Sequence, residues 1–330
     1  MNIFRAEPLS YHIYHDVKLD FMDRLFVRIK KDRPDFNRRM FDEDFTRFFD
    51  LMSSRRKKSF EIVSNDDELM HKLLCDVNNG HTSYKIEESI HQLVKDIVQS
   101  ILWFGVAYFF IHEDAEQEEL NIHSISPYGI VRLLGAYIQW IPKRHETLWN
   151  KDSETLPREI RILNSAKVMR FDMPKMIKRM LSSQNRILVA LDKNQLGNTS
   201  FFPQVTHESP KPTNYFIFQV WKDIQDRALF RATQETGWNG RVYDSKKCSD
   251  FFTCHRLIRF RRNQILLANE ILTQLSSELS RVGRYYNPKF SIKVTLTDEL
   301  PNLKYLNELA KRLECEEVGF KEIMDYCYKR

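Results

Sequence analysis

Cys248, Cys254 and His255 are the residues whose types could most directly hold a metal ion. Zinc sites bring their ligands together in closely spaced pairs, because a chelating pair must reach one tetrahedral centre. Two cysteines six positions apart beside a histidine lack that pairing, so buried or free thiols are expected and no metal. His12 and His15 stand three apart without an HExxH partner. His112-Glu113-Asp114, with Glu116, Glu118 and Glu119, concentrates carboxylates of the kind that hold divalent metals in nucleases. A charge run at a turn is more often a solvated surface. Phosphate chemistry needs backbone amides presented by a glycine-rich turn, and neither GxxxxGK[ST] nor GxGxxG occurs. The GxSxG nucleophile elbow is missing as well. The residues predict no cofactor and no catalytic side chain, and favour binding or assembly over bond chemistry.

Basic clusters carry more weight. Arg256, Arg259, Arg261 and Arg262 surround Phe260 and are the candidate nucleic-acid-binding residues, since guanidinium groups grip phosphate bidentately. The alternative for them is a solvated helical face or intersubunit salt bridges. A second cluster, Arg55 to Lys58, reads as a helix end. Around the first cluster Ile258, Ile265, Leu272 and Leu279 recur every seven residues, with Ala268, Leu275 and Val282 three residues after the last three. Such a heptad-like seam suits packing along another helix, and the four residues are the candidate oligomer interface. At 3.6 residues per turn Arg256 and Arg259 face away from the seam, Arg262 flanks it, and Arg261 falls within it.

The elements that must position these residues make an α+β fold, helix-rich, with a small, mostly antiparallel sheet in the middle. A chain of 330 residues with nine glycines and eleven prolines argues against a turn-rich all-β architecture. Residues 1–80 read as a charged helical region, with Phe41, Phe45, Phe48, Phe49 and Met52 on one face and Asp42, Glu43 and Asp44 near the helix start. Residues 81–200 hold a helix with its apolar stripe on Ile86, Ile90, Leu93, Val94, Ile97, Val98, Ile101 and Leu102, then strands over 106–111, 120–123 and 136–141. Two more short strands flank Asn164-Ser165. Residues 182–214 are the least readable, with 204–213 a linker or surface loop. Residues 201–330 hold a helix from Phe216 to the Gly237-Trp238-Asn239-Gly240 turn, and a long helix over 252–282. A strand alternating Phe290, Ile292, Val294 and Leu296 follows, then two closing helices.

Net charge is +6, which permits contact with phosphate backbones without requiring it. Five cysteines at irregular spacing and an N-terminus without an apolar leader favour free thiols in a reducing compartment. The longest apolar stretch, Ile101 to Ile111, is about half the roughly 20 residues a spanning helix needs, so no membrane partner is expected.

From Ile86 onward the succession of elements resembles part of a bacteriophage portal protein. The residues that carry the likeness are Leu102-Trp103-Phe104-Gly105-Val106-Ala107-Tyr108-Phe109-Phe110, Leu120-Asn121-Ile122-His123-Ser124-Ile125-Ser126-Pro127 and Tyr137-Ile138-Gln139-Trp140-Ile141-Pro142. In that family a helix leads through an aromatic, glycine-containing segment into two strands, a proline-marked turn and another strand pair. Leu163 to Phe171 resembles the segment that follows. The long helix, the strand ending at Asp298 and Glu316-Glu317-Val318-Gly319-Phe320-Lys321-Glu322-Ile323 are similar to the closing helices. The resemblance covers residues 85 to 175 and, more loosely, 252 to 330. It implies a ring-shaped homo-oligomer at a capsid vertex, through which the genome passes and onto which the packaging motor and head-to-tail connector dock. It also implies a location in the bacterial cytoplasm or the virion. The expected partners are then further copies of the chain, DNA, and motor or connector proteins. A different class stays open from the residues: a nucleic-acid-associated component of a bacterial antiphage defence or mobile-element system, with or without nuclease activity.

Overall fold

The computed structural model describes residues 2–9, 19–27, 36–52, 58–77, 85–114, 119–145, 155–193, 218–241 and 249–328. They form an α+β fold in two compact units. One comprises Met1–Arg33, Met52–Met173 and Asn269–Thr297, the other Pro34–Leu51, Pro174–Ala268 and Asp298–Arg330. No helix among the described residues is long and apolar enough to cross a membrane.

The first unit is organised by helix α4 (Ile86–Phe104); α1 (Phe21–Phe26), α2 (Phe36–Leu51) and α3 (Asp67–Leu74) precede it in the chain. Ile90, Leu93, Val94, Ile97, Val98 and Ile101 of α4 are all buried, as the stripe predicts. Gly105 ends the helix at φ +81°, its N–H on the Ile101 carbonyl at 2.8 Å. That left-handed position is why a glycine separates the helix from the strand after it. Strands β4 (Val106–Asp114) and β5 (Glu119–Ile125) then pair antiparallel, with Phe110 opposite His123. On the far side of β4 lies β11 (Val168–Asp172), and beyond β5 a short parallel β3 (Asp76–Val77). A second sheet runs β1 (Asn2–Arg5), β10 (Glu159–Leu163), β7 (Ala136–Ile141), β6 (Ile130–Leu133), with β1 parallel to β10. Tyr108, Phe110, Ile125 and Val168 of the first sheet share a core with Tyr137 and Leu163 of the second.

The strand pair expected around Asn164-Ser165 therefore divides between two sheets. β10 pairs with β7 and β11 with β4, because the Asn164 turn, closed by Lys167 N–H on its carbonyl at 3.0 Å, passes the chain from one layer to the other. Instead of one small sheet there are two of four strands, beside two two-stranded ladders: β12 (Ile292–Leu296) with β2 (Phe60–Ser64), and β8 (Arg144–His145) with β9 (Thr155–Leu156). The region up to residue 80, expected to be helical, thus also contains β1, β2 and β3.

Helix α1 is held by a buried carboxylate. Asp23 accepts from the Trp140 indole N–H at 2.8 Å and from Arg158 Nε at 2.7 Å, while Arg158 also bonds Asp20, the α1 N-cap. Phe26 stacks on Trp140 at 4.3 Å.

Helix α7 (Asp250–Tyr286) contributes its first part to the second unit and its last part to the first. In the first unit its side chains occupy the outer edges of two strands. Ser280 and Ser276 bond both the N–H and the carbonyl of Ile292 and Val294 on β12. On β11, Glu278 accepts from the Arg170 N–H, Gln274 bonds both backbone groups of Asp172, and Arg281 donates to the Val168 carbonyl. Strand groups that would otherwise be orphaned are thereby satisfied.

The second unit is helical throughout its described residues: α2, α5 (Lys175–Lys193), α6 (Phe218–Thr236), the start of α7, α8 (Leu303–Glu314) and α9 (Phe320–Cys327). Phe41 and Phe45 of α2 are fully buried, and Phe45 meets Phe260 edge-on at 5.8 Å. Asp42, Glu43 and Asp44, expected at the start of α2, lie more than a turn inside it, since the helix begins at Phe36. They serve as tethers. Asp44 accepts from the Trp238 indole N–H at 2.8 Å and, with Glu43, from Arg241. Gly237 closes α6 at φ +84°.

Candidate functional site

The basic start of α7 was the leading candidate, and the structure disperses it. Arg261 points inward. Its Nε donates to the Cys327 carbonyl at 2.7 Å, its Nη1 to Gln264 Oε1 at 3.0 Å, and its guanidinium lies 4.9 Å over the Phe48 ring. Burial lowers its pKa from the ordinary arginine value. Arg261 ties α9 to α7 through its Nε and carries Gln264 on its Nη1. Arg259 donates to the Gln234 carbonyl at the end of α6. Arg256 is half-buried and Arg262 exposed.

The seven-residue seam is also covered from within. Ile258, Ile265, Leu272 and Leu279 are all at or below 4% exposure in the single chain. All four are core residues of the single chain. A heptad pattern reports that a stripe is packed, and here the covering elements belong to the same chain.

The chemical candidates resolve in the same way. Glu113 is paired with Lys167 at 2.9 Å and accepts from Tyr286 OH at 2.8 Å, and the Lys167 bond holds its pKa below the usual carboxylate range. Glu116 and Glu118 lie outside the described residues, as do His12, His15, Cys248 and Arg55 to Lys57. Cys254 is buried, which pushes its thiol pKa up, and His255 stacks on Phe251 at 6.2 Å. No three of His, Cys, Asp and Glu gather around an ion-sized point among the described residues.

What the helices do assemble is a cleft of about 440 Å³ between α5, α6 and α7. It is lined by Met176, Ile177, Arg179, Met180 and Ser183 of α5, Glu235 of α6, and Arg262, Asn263 and Leu266 of α7. Among the described residues neither Arg179 nor Arg262 has a hydrogen bond or ion pair. Arg262 belonged to the sequence-based cluster; Arg179 did not, because α5 was not recognised as a helix. A charge count was the available signal. Residues 174–268 carry sixteen Lys and Arg against seven Asp and Glu, whereas the whole chain is only +6.

Gln184 explains why α5 escaped notice. Its helix face reads Ile177, Leu181, Gln184, Leu188, Leu191, all buried, with a polar residue in the middle. Gln184 is fully buried, and neither its Oε1 nor its Nε2 has a partner among the described residues. An unsatisfied buried amide costs about 1–3 kcal/mol, so Gln184→Met is expected to raise stability by about 1–2 kcal/mol. Thermal unfolding checks this; a lower midpoint would mean the amide has a partner.

No family model matches the sequence. No curated protein matches it either. Among solved structures the chain is similar to one from the neck of an empty GTA particle computed with C6 symmetry. The TM-score is 0.41, with 11% identity over 87% of this chain and 87% of that one. A second similar chain comes from the virion of the native gene transfer agent (GTA) particle, with TM-score 0.41 and 10% identity over 86% of each chain.

Proposed function

We propose that this chain is a portal-like assembly protein that forms a homo-oligomeric ring for the passage and packaging of phage DNA. The observation that supports this reading is the order of elements. Helix α4, the Gly105 break, strands β4 and β5, the Pro127 turn, the β6–β7 hairpin and Pro142 follow one another as the portal resemblance implies, and a long helix, a strand and two helices close the chain. The role assigned is structural. No reaction step is assigned to the carboxylates and thiols described above.

Native mass measurement with negative-stain imaging tests the proposal. The expected result is a closed ring of many copies. A stable monomer at high protein concentration would overturn it and leave the antiphage or mobile-element reading in its place.

A further inference from the structure

We infer that the α5–α6–α7 cleft is one half of the contact between neighbouring copies, and that it receives the α8–α9 turn of the next copy. The inference rests on the ring reading, and it answers a question that the buried seam raises. With Ile258, Ile265, Leu272 and Leu279 buried in the single chain, an exposed pair of patches is the contact proposed between copies. A closed ring needs two different, complementary patches on each copy.

The cleft supplies the first patch. Its apolar lining includes two methionines, side chains that adapt to varied apolar shapes, and Met176 is 59% exposed. It is also lined by the guanidinium groups of Arg179 and Arg262, which have no partner among the described residues. The occupant should therefore bring an apolar anchor and carboxylates.

The turn between α8 and α9 has that composition. Glu314, Glu316 and Glu317 are exposed, and their carboxylates have no partner among the described residues. Phe320, three positions on, is 41% exposed. The turn is set in advance of any contact: Glu316 N–H bonds the Leu313 carbonyl at 3.1 Å, Glu317 N–H bonds the Arg312 carbonyl at 2.8 Å, and Arg312 is paired with Glu322 at 3.0 Å. A preformed turn loses little conformational freedom on docking. The proposed contact seats Phe320 against Met176 and Met180 and pairs Glu316 and Glu317 with the guanidinium groups, a charge-assisted pairing of the strong kind. In the same contact Glu235 of the cleft lining pairs with Lys321, which is exposed and next in the chain to Phe320.

Nucleic acid fits the cleft less well. Strands without base pairing are held by aromatic side chains on which bases stack, and the lining contains no aromatic residue. Glu235 also repels a phosphate.

Charge reversal in the full-length chain tests the inference by native mass at low salt. Arg179→Glu/Arg262→Glu and Glu316→Lys/Glu317→Lys should each weaken self-association by about tenfold or more, since like charges then face each other across the contact. Mixing the two variants should restore assembly, because every contact in an alternating ring is again between opposite charges. The quadruple variant should restore it too. The substituted side chains are exposed, and unchanged thermal unfolding confirms that the variants fold. Wild-type rings with both double variants assembling equally well would overturn this contact and leave the ring reading standing. Loss of oligonucleotide binding in Arg179→Glu/Arg262→Glu with assembly unchanged would make the cleft a nucleic-acid surface instead. A monomeric wild type would remove the ring and the contact together.

Discussion

Replacing Gly237 with alanine is expected to cost about 3–5 kcal/mol, in the range reserved for substitutions that force a core apart. Two effects add. Gly237 adopts φ +84°, a conformation that costs a residue with a Cβ about 1 kcal/mol. The larger effect is contact: a Cβ there would sit 2.2 Å from the Arg256 carbonyl oxygen and 2.6 Å from the Phe260 nitrogen. Those are backbone atoms of α7, so the helix itself must shift. The Trp238 and Arg241 bonds to Asp44 would move with it. Gly105 provides the control. It has φ +81° but nothing within 4 Å of its Cβ position, so Gly105→Ala should cost only about 1 kcal/mol. Urea unfolding of the two variants separates the effects, and equal losses would show that backbone conformation alone accounts for Gly237.

Asp23→Ala should destabilise the protein by about 3–5 kcal/mol. The Asp23 side chain is 3% exposed and that of Arg158 only 15%. Removing the carboxylate leaves the Trp140 indole N–H and Arg158 Nε without their acceptor in a site closed by Phe26 and Trp140. Both bonds end on the same oxygen, Oδ1, so Asp23→Asn can keep the geometry while losing the charge. Its loss should be clearly smaller. Urea unfolding of the two variants beside the unsubstituted chain measures both losses. A loss below about 1 kcal/mol for the alanine variant would mean that Asp20 takes over Arg158 and the buried bond matters little.

Elements whose signals are local were legible in the sequence. The α4 stripe, the Gly105 break, the long α7, the alternation of β12 and the α8 and α9 faces all follow from periodicities of 3.6 or 2 residues. Elements that depend on distant partners were not. β1 exists because residue 3 pairs with residue 160, and β2 because Ser64 faces Ile292; four or five residues contain no trace of a neighbour so far along the chain. The seam is a packed stripe, buried already in the single chain, and periodicity reveals that a face is covered and not by what. Arg261 stood out as a charge in an apolar position. Its acceptor, the Cys327 carbonyl, is visible only once α9 folds back onto α7. The cleft needed α5, and a glutamine in the buried face of α5 broke the pattern that would have disclosed it.

The side chains of α7 that hydrogen-bond the margins of β11 and β12 do more than complete the fold. An open strand margin is a template on which another polypeptide can add, and the hazard grows with local concentration. If many copies stand shoulder to shoulder, each presents its strands to its neighbours continuously. With Gln274, Glu278, Arg281, Ser276 and Ser280 already seated there, those two margins cannot recruit a neighbour's backbone, and crowding does not turn into fibre growth along them.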